Sequence, residues 1–161
     1  MLEGWVKRAF LSLMFAASLA GIAIAESTGN TAAMVVYKHP LCFCCNKWIT
    51  HLKENDLETT SVFKVDMQGV KRKWGIPRGM EGCHTAIWHD RYVFEGHVPA
   101  LHIQKFLASP PEGSVGLIVA GMPIGSPGME DGEKFEPYNI YLLLKGGDYR
   151  LYARIEKPDE T

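Results

Sequence analysis

The sequence predicts a single α/β domain. Three observations predict it: short runs of β-forming residues alternate with amphipathic stretches, turn residues punctuate them, and no repeat, linker or second domain interrupts the 161 residues. The chain is long enough for one domain with a real core.

The first stretch reads as an export signal rather than part of that domain. Lys7 and Arg8 form a basic region, an apolar run continues from Ala9 to Ala25, and Ala23-Ile24-Ala25 supplies a small-x-small cleavage pattern. The run is about 17 residues, the short limit for a membrane span. Cleavage after Ala25 is therefore expected, giving a signal peptide at 1–25 and a mature domain at 26–161, with no membrane attachment after cleavage. Removing Glu3, Lys7 and Arg8 leaves 15 basic and 17 acidic residues of the chain's 17 and 18, a net charge of about −2. Nucleic-acid binding has no electrostatic support from this balance.

Ala33-Met34-Val35-Val36-Tyr37 predicts the first strand. Lys38-His39-Pro40-Leu41 turns the chain into Cys42-Phe43-Cys44-Cys45. From Cys45 the pattern is helical: Trp48, Ile49 and Leu52 share one face, Lys47, Lys53 and Glu54 the other, and Asn55-Asp56 ends it. Val62 to Asp66 predicts a second strand, Gln68 to Trp74 a short basic helix, and Gly75 to Gly79 a break. Thr85 to Trp88 and Tyr92 to Glu95 predict a hairpin around His89-Asp90-Arg91. Pro99 opens a helix bearing Leu101, Ile103, Phe106 and Leu107, and Ser109-Pro110-Pro111 stops it. A loop rich in Gly, Pro and Met runs from Ala120 to Pro137. Ile140 to Leu144 and Tyr149 to Ile155 form a closing C-terminal β-hairpin.

Strand, helix, strand, helix, hairpin, helix is the layout of a thioredoxin-like domain. That topology sets a cysteine motif at the first strand–helix junction, where the helix dipole and free N–H groups favour thiolate. It also turns the segment before the third strand, Cys83-His84-Thr85, toward the same motif. The layout therefore predicts that Cys83 meets Cys42, Cys44 and Cys45.

Three of the four cysteines fall within four residues. In an exported chain the simplest expectation for four cysteines is two disulfides, but Cys42, Cys44 and Cys45 are too close together to staple distant segments. Cys42 and Cys45 make a C-x-x-C, a redox motif beside a βαβ pattern. Cys44 complicates that reading, because a third thiol competes for any mixed disulfide. Four converging thiolates suit a soft metal. Zinc wants a tetrahedron, which three sulfurs so close in sequence reach with difficulty. Cu(I) accepts low coordination and bridging thiolates, and four thiolates with four Cu(I) cancel in formal charge. His84 is a further ligand candidate, with a hydrogen-bonded structural role as the alternative. His97 reads as structural or as support to a ligand. Met122 and Met129 lie in a Gly-Pro loop where core packing is harder to explain, so sulfur ligation or a lid role is the alternative to gap filling. His39, His51, His89 and His102 read as surface or helix residues, and Trp48 as core. No hydrolase or transferase signature is present.

These segments together resemble the CopG-type periplasmic copper-resistance proteins, a family long labelled as a domain of unknown function. The resemblance is carried by Tyr37-Lys38-His39-Pro40-x-Cys42-x-Cys44-Cys45-x-x-Trp48, by Cys83-His84-Thr85, by Glu95-Gly96-His97-Val98-Pro99, and by Gly121-Met122-Pro123-x-Gly125-Ser126-Pro127-Gly128-Met129-Glu130. It runs from about residue 34 to the final hairpin. It implies a thioredoxin-like fold, a cysteine-bridged multinuclear copper cluster on Cys42, Cys44, Cys45 and Cys83, and a part in copper tolerance in the periplasm by interconverting Cu(I) and Cu(II). Implied partners are copper ions and periplasmic copper-handling or electron-transfer proteins. Phe43 departs from the glycine that many relatives have there, and a ring at that point is expected to shield the cluster or restrict access. The reading from a different class is a thiol–disulfide oxidoreductase using Cys42 and Cys45.

Overall fold

The computed structural model describes residues 34–161. The expected signal peptide lies outside the described residues. In chain order the elements are β1 (Met34–Lys38), α1 (Phe43–Glu54), β2 (Thr59–Phe63), α2 (Met67–Lys73), β3 (His84–Trp88), β4 (Tyr92–Glu95), α3 (Ala100–Ala108), β5 (Ser114–Ile118), β6 (Tyr138–Leu144) and β7 (Tyr149–Ile155), followed by a 3-10 turn at Pro158–Glu160.

All seven strands join one mixed sheet in the order β2-β1-β3-β4-β5-β6-β7. β1 and β2 are parallel, β3 runs antiparallel to β1, and β4 antiparallel to β3. This four-strand half, with α1, α2 and α3, is the predicted thioredoxin-like core. β5 then pairs parallel with β4, and β6 and β7 add the C-terminal hairpin.

Side-chain alternation makes the sheet two-faced. Met34 and Val36 of β1, with Ala86, Phe94, Leu117, Ile140 and Leu142, pack against Trp48, Ile49 and Leu52 of α1 and Ile103 and Phe106 of α3. The opposite face carries Ile87, Val93, Ile118 and Leu143, covered by Ile76 and Met80 from the segment after α2. Trp48 is fully buried, as expected of a core residue, and its indole N–H donates to the Val98 carbonyl at 2.8 Å. α1 buries Cys45, Trp48, Ile49 and Leu52, the i, i+3, i+4, i+7 stripe of an amphipathic helix.

Three expectations shift. The second strand is Thr59–Phe63, not 62–66. Val65 is exposed, and Asp66 caps α2 by accepting the Gly69 N–H at 2.9 Å, so the chain has already left the sheet. α1 starts at Phe43, so the last two cysteines of the motif are helical. β5 comes from residues between α3 and the Gly-Pro loop to which the sequence reading gave no element. Its apolar residues bury through pairing with β4 and β6, a non-local cause. A Cβ at Gly116 would fall 1.7 Å from the Val93 carbonyl oxygen, so β5 reaches β4 only with glycine there. No described helix is long and apolar enough to cross a membrane.

Candidate metal centre

Register explains why distant cysteines meet. Lys38, the last residue of β1, pairs with His84, the first of β3. The turn from β1 into α1 and the residue before β3 therefore leave the sheet at the same end. Cys42 is the N-cap of α1 in extended conformation, and Cys44 and Cys45 follow in the first turn.

The four sulfurs close a ring. Cys42 and Cys45 are joined by a disulfide, with their Cα atoms 5.4 Å apart. Cys44 Sγ lies 3.5 Å from Cys42 Sγ and 3.6 Å from Cys83 Sγ, and Cys83 Sγ lies 3.5 Å from Cys45 Sγ. Cys44 and Cys83 are free thiols. The predicted convergence is present in the fold.

Cys83 lies before β3 and not on α1. Burial pushes its thiol up to about 12, and Cys44 beside it adds to the rise, while the Lys71 charge works the other way. Any metal that Cys83 binds must displace a proton.

Two buried histidines flank Cys83. His84 Nδ1 is 3.3 Å from Cys83 Sγ, and the ring centroid is 4.2 Å from that of Trp48. Its Nε2 is buried without a hydrogen-bond partner. His97 Nε2 is 3.1 Å from Cys83 Sγ, and His97 Nδ1 is 2.7 Å from the Pro127 carbonyl. A carbonyl only accepts, so Nδ1 carries the proton and the Nε2 lone pair faces the sulfur. Burial is the main cause holding both imidazoles below their usual pKa, well below for His84, where His97 and Lys71 add to it. His97 thus touches a cysteine of the ring directly, closer than the supporting role read from sequence. Its signal was the Gly96-His97 step just past the strand that pairs with β3.

The pairing of Glu95 with Lys71 escaped the sequence reading. Glu95 is fully buried and accepts from the Gly82 N–H at 2.7 Å, the Thr85 hydroxyl at 2.7 Å and the Lys71 ammonium. It therefore grips both sides of the Cys83-His84 turn. Burial raises its carboxyl pKa, opposed by the Lys71 charge. Glu95 falls in the Glu95-Gly96-His97-Val98-Pro99 motif, but nothing local marks its pairing with Lys71, which sits in a basic helix that reads as solvated. Lys38 is also buried, with its ammonium 3.5 Å from the Cys42 carbonyl and 4.9 Å from the Phe63 ring centroid.

The Gly-Pro loop lies over the start of α1. A Cβ on Gly128 would come within 2.8 Å of the Cys44 carbonyl oxygen and the Trp48 nitrogen. Met129 lines an open cleft with Cys44, Phe43, Lys47 and Ile124, whereas Met122 is 53% exposed and does not line it. Phe43 is 76% exposed and stands at the cleft's edge. His51 has a structural task, since its Nε2 accepts the Ala100 N–H at the start of α3, 3.0 Å away.

The donors fall into two groups that share Cys83, the four sulfurs and the Cys83 sulfur with two imidazoles, the chemistry of a soft or borderline metal. They also include a closed C-x-x-C, the chemistry of dithiol exchange. Comparison with known proteins bears on the choice. A family model described as "Protein of unknown function, DUF411" matches residues 80–129. No curated protein matches the chain. Two solved structures do. "Copper resistance protein copG- Form 2" is 37% identical, with 76% of this chain and 97% of that chain covered and a TM-score of 0.72. "Copper resistance protein copG- Form 1" is 38% identical, with 76% and 95% covered and a TM-score of 0.71. The chain belongs to the CopG family of copper-resistance proteins.

Proposed function

We propose that this protein binds copper for copper resistance in the periplasm, after cleavage of residues 1–25, and that residues 26–161 form the binding domain. The copper is held as Cu(I) in a multinuclear cluster bridged by Cys42, Cys44, Cys45 and Cys83. The observation that carries this reading is the ring of four sulfurs, in which successive Sγ atoms lie no more than 3.6 Å apart. Soft sulfur selects Cu(I), and bridging thiolates supply its low coordination number. His84, and the Met129 sulfur from the cleft beside Cys44, are additional ligands in this proposal; Met122 is a ligand only if its exposed loop folds inward.

The Cys42–Cys45 disulfide must open before all four sulfurs can bind. Opening consumes two electrons and two protons and gives two thiols. In the reverse direction the dithiol closes, releases two protons and delivers two electrons, enough to reduce two Cu(II) to two Cu(I). This balance supports the interconversion of Cu(I) and Cu(II) as the protein's reaction. A copper-handling or electron-transfer partner would exchange the ions or electrons.

Copper reconstitution of the reduced mature domain tests the reading, with X-ray absorption identifying sulfur neighbours and copper–copper distances. Retention of less than about one copper while zinc is held tightly would refute it. The disulfide itself favours a second reading, thiol–disulfide exchange by Cys42 and Cys45. Dithiol-exchange activity that survives Cys44→Ser and Cys83→Ser would establish that alternative.

A further inference from the structure

We infer that Leu41, Phe43, Phe63 and Val65 form a docking face beside the sulfur ring for a partner protein whose contact surface is apolar at its centre and acidic at its rim. All four are large apolar residues left to solvent, Phe63 the least exposed at 62% and Val65 the most at 82%. Contiguous exposed apolar groups of this kind mark interaction sites.

The fold sets the two segments that carry them side by side. Lys38 of β1 pairs with Phe63 of β2, so the turn bearing Leu41 and the segment bearing Val65 leave the sheet at one end. The Lys64 N–H donates to the Lys38 carbonyl at 3.0 Å. The buried Lys38 ammonium joins the two segments, 4.9 Å from the Phe63 ring centroid and 3.5 Å from the Cys42 carbonyl.

Hydrogen bonds hold these side chains outward. The Leu41 N–H donates to His39 Nδ1 at 3.2 Å and the Cys42 N–H to the His39 carbonyl at 3.0 Å, which fixes one turn. The Met67 N–H donates to the Val65 carbonyl at 3.1 Å and Asp66 caps α2, which fixes the other. Phe43 opens α1. Groups presented on fixed turns lose little freedom when a partner covers them.

Charge selects the partner. Residues 34–80 carry eight basic and four acidic side chains, whereas residues 81–161 carry seven and twelve. Lys64 stands between Phe63 and Val65, and Lys47 lies one helical turn beyond Phe43. The acids beside the face are already engaged: Asp66 as a cap, Glu130 by the Gly128 N–H at 2.7 Å, and Asp131 by Lys134 at 2.7 Å. A basic face repels a second copy of itself and attracts an acidic rim. The segment 26–33 does not suit the face, since it has no large apolar residue and joins β1 at Met34, the far end from Lys38. Leu41 and Phe43 flank the half-buried Cys42, so a membrane seated there would close the disulfide to any carrier of electrons or copper. A protein that carries them fits. Naming copper as what it carries rests on the copper reading above; the face does not.

Photo-crosslinking of the full chain in copper-exposed cells tests the face. The crosslinker p-benzoylphenylalanine replaces Phe43 or Phe63, and as a control Tyr149, half-exposed on the opposite edge strand. The expected result is one protein adduct from the first two positions and none from the third, linked to an acidic surface. Lys64→Glu with Val65→Ser should lower its yield more than about fivefold, whereas Lys64→Arg keeps it. Cu(I) uptake by the purified double variant should match wild type. An adduct with a second copy, an adduct on a basic surface, no adduct from either position, or full yield in the double variant would overturn the inference. So would flotation of the purified protein on phosphatidylglycerol–phosphatidylethanolamine vesicles that Val65→Ser abolishes. The expected adduct from a protein whose reduced form takes up no Cu(I) would sink the copper reading and leave the face standing; Cu(I) uptake without an adduct would do the reverse.

Discussion

Cys45 Sγ lies 3.5 Å from Cys83 Sγ although 38 residues separate them in the chain. The cause is the antiparallel pairing of β1 with β3, which sets Lys38 opposite His84 and brings the α1 N-terminus to the Cys83 turn. A strand register thus assembles the sulfur ring, and the consequences can be measured.

Thiol accounting is the most direct consequence. The metal-free disulfide form should present two alkylatable thiols, Cys44 and Cys83, and peptide mapping should find the bridge between Cys42 and Cys45. Alkylation of Cys83 should be very slow at pH 8 and rise steeply only toward pH 12, because burial and the adjacent Cys44 hold it protonated. Rapid labelling of Cys83 at pH 8 would contradict the environment described.

The buried pair Lys71–Glu95 should matter to stability more than any exposed ion pair. Glu95→Gln strands an ammonium away from water and should cost about 3–5 kcal/mol in urea unfolding. Adding Lys71→Met to that variant should recover part of the loss, since the uncompensated charge goes with it. An additive double variant would show that the two side chains act independently.

Acidification should destabilise the metal-free protein. Burial holds His51, His84, His97 and His102 below the usual histidine pKa. The unfolded chain takes up protons near pH 6.5 while the folded chain resists, so stability present above that pH is lost as pH falls through it. Glu95, whose pKa is raised, contributes in the opposite sense as it protonates. The histidine part is isolated by urea midpoints of wild type and His84→Asn, measured with chelator between pH 8 and 5. A wild-type midpoint that does not fall, or an equal fall in the variant, would contradict the assignment.

Gly128→Ala should loosen the loop over α1. The position has φ +88°, and the added Cβ would sit 2.8 Å from two backbone atoms of the helix. The left-handed conformation alone costs about 1–2 kcal/mol for a non-glycine residue. The loop should shift, carrying Pro127 away from His97. A lowered Tm with a changed His97 ring-nitrogen resonance is the expected pair of results; an unchanged resonance would separate the loop from the histidine.

Local patterns made much of the fold readable. The stripe of Trp48, Ile49 and Leu52 announced α1, and the hairpins at β3–β4 and β6–β7 followed from β-forming runs around turn residues. β2 was misplaced because Val62 to Val65 look equally strand-like, and only pairing with β1 and the Asp66 cap decide where the strand ends. β5 escaped because a glycine-interrupted run is weak until neighbours on both sides bury it.

By itself the sequence determined the chemistry available: four thiols, three of them clustered, and a layout that brings the fourth to them. Tertiary structure alone decided how those groups are poised. It joined Cys42 to Cys45, held Cys83 protonated by burial, turned His97 onto its sulfur through the Pro127 carbonyl, and placed Glu95 behind the turn. The reason is physical. Periodicity and turn signals act over a few residues, whereas desolvation and a hydrogen bond across 30 residues exist only once the sheet has closed.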